Sequence, residues 1–309
     1  MKIAYLIAAH TDPIQLSRLI KSLDIKGSTF FFIHIDKKVN IEIFKKEIIA
    51  DNIIYIKKRI KTYWGGFSQC KYQIALIDEC IKSNIPFDRV FFLSGLDYPL
   101  WSNNEIVKFL ENNKDKELIM GMNLTSCFYP AKMQTRVQLF HYRDIPFANS
   151  STRRITYGLI REFIRHIGIK KRNYIYSNKK RYNIYCGSSW WCLTSECVKY
   201  IYEFIKENKA VTNYFKSCLA PDELLIQTII FNSNYASKAI LYQGDYPGLI
   251  GLTPLHYIEY TDKIATYTEK DFNKLISSGK MFCRKVQTNI SDKLIKQIDY
   301  HRDKIGNKY

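Results

Sequence analysis

Two glycine-rich nucleotide-binding motifs are missing from this sequence. No G-x-G-x-x-G follows its first apolar run, and no Walker motif occurs at any position. Those motifs let the backbone of a turn approach the phosphates of a dinucleotide or a nucleoside triphosphate. Their absence argues against a nicotinamide-dependent enzyme and against a P-loop NTPase.

Paired cysteines and long apolar runs are also missing. The 8 cysteines form no C-x-x-C pair and no cluster with histidine at zinc-site spacing, so we expect buried, reduced thiols. No apolar run approaches the roughly 18 residues of a membrane-spanning helix. The first residues lead into His10 and Asp12 and do not resemble a cleaved signal peptide. We therefore expect a cytoplasmic protein, free or held peripherally at the inner face of the cell membrane.

The composition is that of a folded, strongly basic protein. Hydrophobic residues make up 46% and aromatic residues 15% of the 309 residues, enough for a full core. We expect a single domain, 1–309, with a nucleotide-binding half, 1–125, and an acceptor-binding and catalytic half, 126–309. The net charge of +18 predicts anionic partners such as nucleotide phosphates or lipid head groups. The aromatic residues are not interleaved with the basic run, so we expect no nucleic-acid partner.

Apolar, strand-like runs alternate with helical patterns in the first part of the chain. Runs at 3–8, 29–35, 53–56 and 89–93 are nearly continuous in apolar residues. Strands of that kind are typical of a parallel sheet with both faces covered. Between these runs, Asp12-Pro13 starts a predicted helix, Ser68 caps another, and Ser102 with Glu105 forms a capping box for a third. The predicted fold class is α/β, with a mostly parallel central sheet flanked by helices.

Polar residues follow three of these predicted strands. They are His10, the segment His34 to Asp36, and the segment Gly95 to Asp97. Ligands of open α/β sheets bind beyond the carboxyl ends of the strands. We therefore expect these side chains to meet at one ligand site.

The tripeptide Pro221-Asp222-Glu223 precedes a predicted helix from Leu224 to Phe231. A carboxylate held near a helix N-terminus and an aromatic platform suits a general base in sugar chemistry. The alternative is that the two acids only favour the first turn of a helix.

The aromatic platform is supplied by the segment Gly187-Ser188-Ser189-Trp190-Trp191. Side chains alternate between the two faces of a strand. If the pair lies on a strand, we expect one of Trp190 and Trp191 in the core and the other free to stack on an acceptor sugar.

Residues 151–183 hold ten basic residues and one acid, Glu162. Ile160, Phe163, Ile164 and Ile167 would share one face of a helix there. Two interpretations are open. The face packs on the domain and the charges are solvated, or the helix lies on an anionic membrane.

A series of motifs in fixed order resembles one known family. In chain order they are Ile3–His10, Phe32–Asp36, Tyr63–Ser68, Phe92–Leu100, Gly187–Trp191, Ala220–Glu223 and Ser278–Lys285. The series is similar to that of the core-2/I-branching enzymes, a glycosyltransferase family that includes peptide O-xylosyltransferases. It spans nearly the whole chain, and its specificity comes from the order of the motifs together.

The resemblance implies a GT-A-like fold, a UDP-sugar donor, inversion at the anomeric carbon and catalysis without a metal. The sequence agrees with the last point, because it contains no Asp-x-Asp pair to hold Mg²⁺ or Mn²⁺ on a diphosphate. The resemblance assigns the leaving UDP to Arg284 and Lys285. Lys263 aligns loosely with a further basic position, where relatives often carry arginine.

The same resemblance assigns the remaining site residues. Glu223 matches the base, and Asp222 would cap the helix or brace Glu223. His10 and Asp36 match a nucleoside pocket, although a histidine at this position also fits a packed core. Arg59, Tyr63 and Trp64 match a loop near the nucleotide. Asp97 would hydrogen-bond the donor sugar.

The predicted function is therefore an inverting, metal-independent glycosyltransferase. Its expected acceptor is a glycan, either free or carried on a lipid, in the synthesis of a bacterial surface polysaccharide. The alternative is a catalytically degenerate carbohydrate- or nucleotide-binding protein with the same fold.

Overall fold

A computed structural model describes residues 1–125, 131–144, 150–260 and 264–306 of the chain. Its strands are β1 Ile3–Ala9, β2 Thr29–Ile35, β3 Ile53–Tyr55, β4 Arg89–Ser94, β5 Asp97–Pro99, β6 Met120–Asn123, β7 Tyr174–Ser177, β8 Lys180–Asn183, β9 Tyr185–Cys186, β10 Trp191–Thr194, β11 Ile240–Leu241, β12 His256–Ile258 and β13 Phe282–Arg284. Its α-helices are α1 Pro13–Leu23, α2 Glu42–Glu47, α3 Ser68–Lys82, α4 Asn103–Asn112, α5 Ala131–Gln138, α6 Ser150–His166, α7 Ser195–Glu207, α8 Lys209–Phe215, α9 Leu225–Phe231, α10 Gly248–Gly251, α11 Phe272–Ser277 and α12 Asp292–Gly306.

The central sheet has the strand order β10-β4-β1-β2-β3. β1 pairs in parallel with β2 and with β4, and β2 pairs in parallel with β3. β10 adds to the other edge in the antiparallel direction. The predicted mostly parallel sheet is confirmed, and all four predicted strands belong to it.

Both faces of this sheet are buried, which explains why its strands are apolar almost throughout. Successive side chains of a strand point to opposite faces. In β1, Ala4 and Leu6 pack into one cluster with side chains of α3 such as Leu76. Ile3 and Tyr5 pack into the other cluster with side chains of α1 such as Leu16. Each cluster excludes water from one face of the sheet.

Helix starts agree with the sequence at two positions and differ at one. The Asp12 side chain caps α1 by accepting from the Gln15 N–H at 3.0 Å. Ser102 and Glu105 form the predicted capping box of α4. Ser68 was expected to cap α3, but the cap position is Phe67 and makes no side-chain cap bond. The Ser68 hydroxyl instead donates to Asp144 at 2.7 Å.

A small sheet, β12-β13-β5, stands beside the carboxyl ends of the central strands. Its register places Arg284 directly opposite Asp97. The tripeptide Pro221–Glu223 forms a single 3-10 turn, and α9 begins at Leu225, one residue after the predicted start.

The described cysteines are unpaired and buried, as expected; Cys127 lies outside the described residues. Within the described ranges, no helix is both long enough and apolar enough to cross a membrane.

Candidate active site

One cleft of about 340 Å³ opens at the carboxyl ends of β1, β2 and β4. Seven predicted site residues line it: His10, Asp36, Trp64, Trp190, Asp222, Glu223 and Arg284. They come from both halves of the chain. The structure therefore brings residues from the ends of β1 and β2 together with the Pro221-Asp222-Glu223 turn, whereas the predicted segment Gly95 to Asp97 is not in the described lining.

Tight backbone packing holds the turn that carries Glu223. The Gly187 N–H donates to the Glu223 carbonyl at 2.9 Å. A Cβ at Gly187 would lie 2.1 Å from the Met120 carbonyl oxygen, so only glycine allows this approach. Ala220 enters the turn with a φ of 48°, a conformation that is uncommon for alanine. The base candidate thus stands on a closely constrained backbone.

The Glu223 carboxylate forms an ion pair with Arg136, a residue of α5. The distance from Arg136 Nη2 to Glu223 Oε2 is 2.5 Å, and the two side chains are 12% and 18% exposed. Arg136 also donates to the carbonyls of Leu219 and Ala220. The Arg136 guanidinium therefore orients the Glu223 carboxylate and also fixes the backbone just before the turn.

Asp222 is buried beside Glu223 in a different environment. Its Oδ2 accepts from Ser189 Oγ at 2.7 Å and from Gln69 Nε2 at 3.2 Å. Its Oδ1 is buried without a hydrogen-bond partner among the described residues. Burial, and then the neighbouring charge of Glu223, raise the pKa of Asp222 to about 7. Asp222 makes no capping bond to either helix, so the expectation that it caps α9 is wrong.

Arg284 lines the cleft and is held in place by Asp97. Its Nη1 lies 2.9 Å from Asp97 Oδ1, and its guanidinium lies 4.8 Å from the ring centroid of Trp190. Asp97 Oδ2 accepts from the Ser94 N–H at 2.7 Å and faces His256 Nε2 at 3.1 Å. Ser94 and His256 thus hold the Asp97 carboxylate, and Asp97 in turn fixes the Arg284 guanidinium at the cleft.

The expected contact between Asp97 and a donor sugar does not agree with this arrangement. The Asp97 side chain is fully buried, and both of its oxygens are engaged within the protein. Burial alone would raise the pKa of Asp97, but His256, Arg284 and the Ser94 N–H hold it below its usual value. Asp97 is a positioning residue for Arg284.

The two tryptophans divide as expected. Trp191 on β10 is fully buried in the core. Trp190 lines the cleft, where its ring stacks on Phe92 with centroids 5.6 Å apart. Of this pair, Trp190 is therefore the one that a sugar in the cleft can reach.

His10, Asp36 and Lys38 form the polar wall at the ends of β1 and β2. His10 is exposed to the cleft rather than packed in the core. Partial desolvation lowers the pKa of His10. The negative charge of Asp36 raises this pKa, and the positive charges of Arg284 and Lys38 lower it. Asp36 is buried, accepts from the Lys38 N–H at 2.9 Å and faces Lys38 Nζ at 3.5 Å.

Four other predicted residues are not in the described lining of the cleft. The Arg59 guanidinium donates to the carbonyls of Ile35, Asp36 and Val39. It thus holds the loop after β2 and supports the polar wall indirectly.

Tyr63 lies under Lys38, with Nζ 5.2 Å from the ring centroid. Lys285 follows Arg284 along the chain, and its positive charge contributes to the lowered pKa of His10. Lys263 lies outside the described residues.

Sequence reasoning missed several residues of this site. Arg136, Lys38, Gln69 and His256 either line the cleft or contact a residue that lines it. Arg136 is 87 positions from Glu223 along the chain, and no local pattern marks it. Among the described residues, no group of three or more histidine, cysteine or acidic side chains is arranged to hold a metal ion.

The model of the Core-2/I-Branching enzyme family matches residues 3–275 of the chain. The chain belongs to this family. The resemblance drawn from the motif series is confirmed. The GT-A-like α/β fold class is confirmed with it, in agreement with the sheet order.

The curated proteins that are similar to this chain include xylosyltransferases. Xylosyltransferase 2 of Rattus norvegicus is 24% identical over 97% of this chain and 34% of the relative. Xylosyltransferase 1 of Homo sapiens is 22% identical over 97% of this chain and 30% of the relative. The chain thus spans about a third of the length of these relatives.

Solved structures resemble the chain only distantly. Mouse xyloside xylosyltransferase 1, in its apo form, is 11% identical, covers 78% of this chain and 85% of its own, and has a TM-score of 0.34. The 4-diphosphocytidyl-2C-methyl-D-erythritol synthase of Anaerococcus prevotii DSM 20548 is 12% identical over 79% of this chain and 88% of its own, with a TM-score of 0.37. Scores this low carry no functional information.

Proposed function

We propose that this protein is an inverting glycosyltransferase that moves a sugar from a UDP-sugar to a hydroxyl of a glycan acceptor. The observation that carries this proposal is the position of Glu223, a carboxylate on a rigid turn that faces the same cleft as Arg284 and Asp36. Membership of the Core-2/I-Branching family supports it. The predicted role in bacterial surface polysaccharide synthesis belongs to the same proposal.

The reaction is a single displacement. An acceptor hydroxyl is a poor nucleophile because its pKa is high, and a carboxylate within hydrogen-bond reach takes its proton as the new bond forms. The acceptor oxygen bonds to the anomeric carbon while the bond from that carbon to the UDP oxygen breaks. The proton goes to Glu223, and the negative charge goes to the leaving diphosphate.

Arg284 is the group we assign to that developing charge. A cation fixed in advance stabilises a transition state in which charge grows more than it stabilises the ground state. The Asp97 carboxylate and the Trp190 ring fix the guanidinium, and Lys38 adds a second positive charge along the same cleft. We propose that these cations, with Lys285, serve where many related folds use a metal ion.

The nucleoside would lie on the wall formed by His10 and Asp36, and the sugar ring near Trp190 and Asp222. The unpartnered Asp222 Oδ1 is a suitable acceptor or donor for a sugar hydroxyl. A buried polar atom without a partner costs free energy until a ligand satisfies it.

A second candidate is a degenerate member of the fold that binds nucleotide or sugar without turnover. One observation favours it, because the Glu223 carboxylate is already paired with Arg136. In the transferase, the second oxygen of Glu223 must accept the proton, or the acceptor must displace Arg136. Turnover separates the two candidates, since both would bind UDP.

The test measures UDP release and UDP binding with EDTA present throughout. We expect a UDP-sugar to stabilise the protein against heat and to yield UDP, and Glu223→Gln to lower that rate by about 10²–10⁴-fold while keeping UDP binding. Glu203→Gln, on the exposed face of α7, is the matched control. UDP binding with no turnover of any UDP-sugar would favour the degenerate binder. Loss of all activity with EDTA, restored by Mn²⁺, would refute the metal-independent mechanism.

A further inference from the structure

Helix α6 (Ser150–His166) exposes an apolar stripe that other described residues do not cover. Ile155, Leu159, Phe163 and the following Ile167 are 61%, 67%, 66% and 51% exposed. Their spacing of four residues places them along one side of the helix. The exposed face therefore differs from the predicted face of Ile160, Phe163, Ile164 and Ile167. Ile160 and Ile164 are half-buried.

The helix is fixed to the protein by its opposite side. Tyr157 is buried, and the Arg143 guanidinium lies 3.9 Å from its ring centroid. The stripe therefore points away from the body of the protein. Of the face expected from the sequence, Ile160 and Ile164 are half-buried, whereas Phe163 and Ile167 are exposed among the described residues.

The charge around the stripe is positive. Arg165, His166 and Lys170 are exposed on or just after the helix. Glu162 pairs with Arg161 at 2.8 Å and with Arg165 at 2.5 Å, so its negative charge is compensated. An exposed apolar face bordered by basic residues is typical of helices that lie in the interface of an anionic membrane.

We propose that α6 docks this protein on an anionic lipid surface, with Ile155, Leu159 and Phe163 inserted among the acyl chains and Arg165 and Lys170 at the lipid phosphates. A second copy of the chain fits less well, because each molecule carries a net charge of +18 and the same cations would meet. A membrane with acidic head groups complements that charge.

The position of α6 gives this surface a role in the proposed reaction. The Arg143 side chain that packs on Tyr157 also lies 5.6 Å from the ring centroid of Trp64, which lines the cleft. Next to it, Asp144 accepts from the Ser68 N–H at 2.8 Å. Docking through α6 would therefore hold the cleft near the lipid surface. We therefore infer that the acceptor is a glycan carried on a lipid, an inference that rests on the proposed function.

The experiment is co-sedimentation of the full chain with vesicles of phosphatidylcholine, with and without phosphatidylglycerol. We expect binding to the anionic vesicles that weakens with salt, and little binding to the neutral ones. Leu159→Gln with Phe163→Gln should weaken anionic binding by about tenfold or more. Arg165→Glu with Lys170→Glu should weaken it at least about fivefold for each cation lost.

Ile49→Gln is the matched control, because Ile49 is also an exposed isoleucine, at 86%, but lies outside α6. It should bind vesicles like the wild type. Unchanged thermal unfolding shows that each variant is folded, and unchanged stabilisation by UDP separates a docking defect from a failed nucleotide site.

Two results would overturn the proposal. One is equal binding to anionic and neutral vesicles. The other is a dimer in the absence of lipid that dissociates with Leu159→Gln and Phe163→Gln, since the stripe would then be a self-association surface. Vesicle binding without any UDP binding would leave the docking surface standing and refute only the proposed function.

Discussion

At the scale of single residues, the neighbours Asp222 and Glu223 differ in what surrounds them. Glu223 faces an arginine, whereas Asp222 is buried between Ser189 and Gln69 with one oxygen unpartnered. Two adjacent carboxyl groups with such different surroundings can take different roles in proton transfer. We therefore assign the proton acceptor to Glu223 and a sugar contact to Asp222.

The two basic residues assigned to UDP should not contribute equally. Arg284 lines the cleft and is fixed by Asp97, whereas Lys285 is not in the described lining. A charge-assisted hydrogen bond contributes roughly 1.5–3 kcal/mol. We expect Arg284→Ala to weaken UDP binding by about tenfold or more, and Lys285→Ala to weaken it less, as measured by calorimetry.

Lys285→Ala also serves as the matched control for the loss of one positive charge. Arg284→Ala leaves Asp97 buried without its cation, so its unfolding temperature without ligand must be measured beside its UDP affinity. Equal effects of the two substitutions on UDP binding would contradict the placement of the diphosphate at Arg284.

At the scale of elements, the site depends on contacts between segments that are far apart in the chain. Helix α5 supplies Arg136 to the 3-10 turn of Glu223, and strand β13 supplies Arg284 opposite Asp97 on β5. Neither pair lies within one element. The rigidity of the site therefore depends on how these elements pack.

The Arg136 ion pair gives a test of that dependence. Arg136→Met should leave Glu223 without its partner and lower the free energy of unfolding by roughly 1–3 kcal/mol, below the 3–5 kcal/mol of a fully buried pair. Adding Glu223→Gln to Arg136→Met should restore part of that loss, because no unpaired carboxylate remains. Chemical denaturation of the four proteins of this cycle measures the coupling. Additive losses would show that the pair contributes no coupling.

At the scale of the whole molecule, Asp222 makes the stability depend on pH. Its pKa of about 7 in the folded protein lies above the value near 3.9 of an unfolded chain. The folded state therefore binds this proton more tightly, and the resulting stability is lost as the pH rises through about 7. We expect the free energy of unfolding to fall less between about pH 5 and about pH 8 in Asp222→Asn than in the wild type.

Asn keeps an oxygen that can accept from Ser189 and Gln69, so the substitution removes the titration with little change in shape. Asp115→Asn, at an exposed loop position, should give a pH profile parallel to that of the wild type. A profile of Asp222→Asn that is also parallel would show that Asp222 does not titrate in this range.

Much of this protein was determined by its sequence alone. Local patterns predicted four strands of the central sheet, the helix start at Asp12-Pro13 and the capping box at Ser102, because continuous apolar runs and short-range hydrogen bonds depend on neighbouring residues. The order of motifs identified the family. It also named seven residues that line the cleft, because each of them lies in one of those motifs. The division into two halves at residue 125 remains a prediction.

Only the tertiary structure decided which of the candidates meet. Arg136 reaches Glu223 across 87 positions, and Asp97 turns into the protein to hold Arg284. Ser68 donates to Asp144 instead of capping α3, and the exposed stripe of α6 is shifted towards Ile155 and Leu159. Periodicity shows which side chains share a face. Which face is covered, and which charges are paired, depends on segments brought together only by folding.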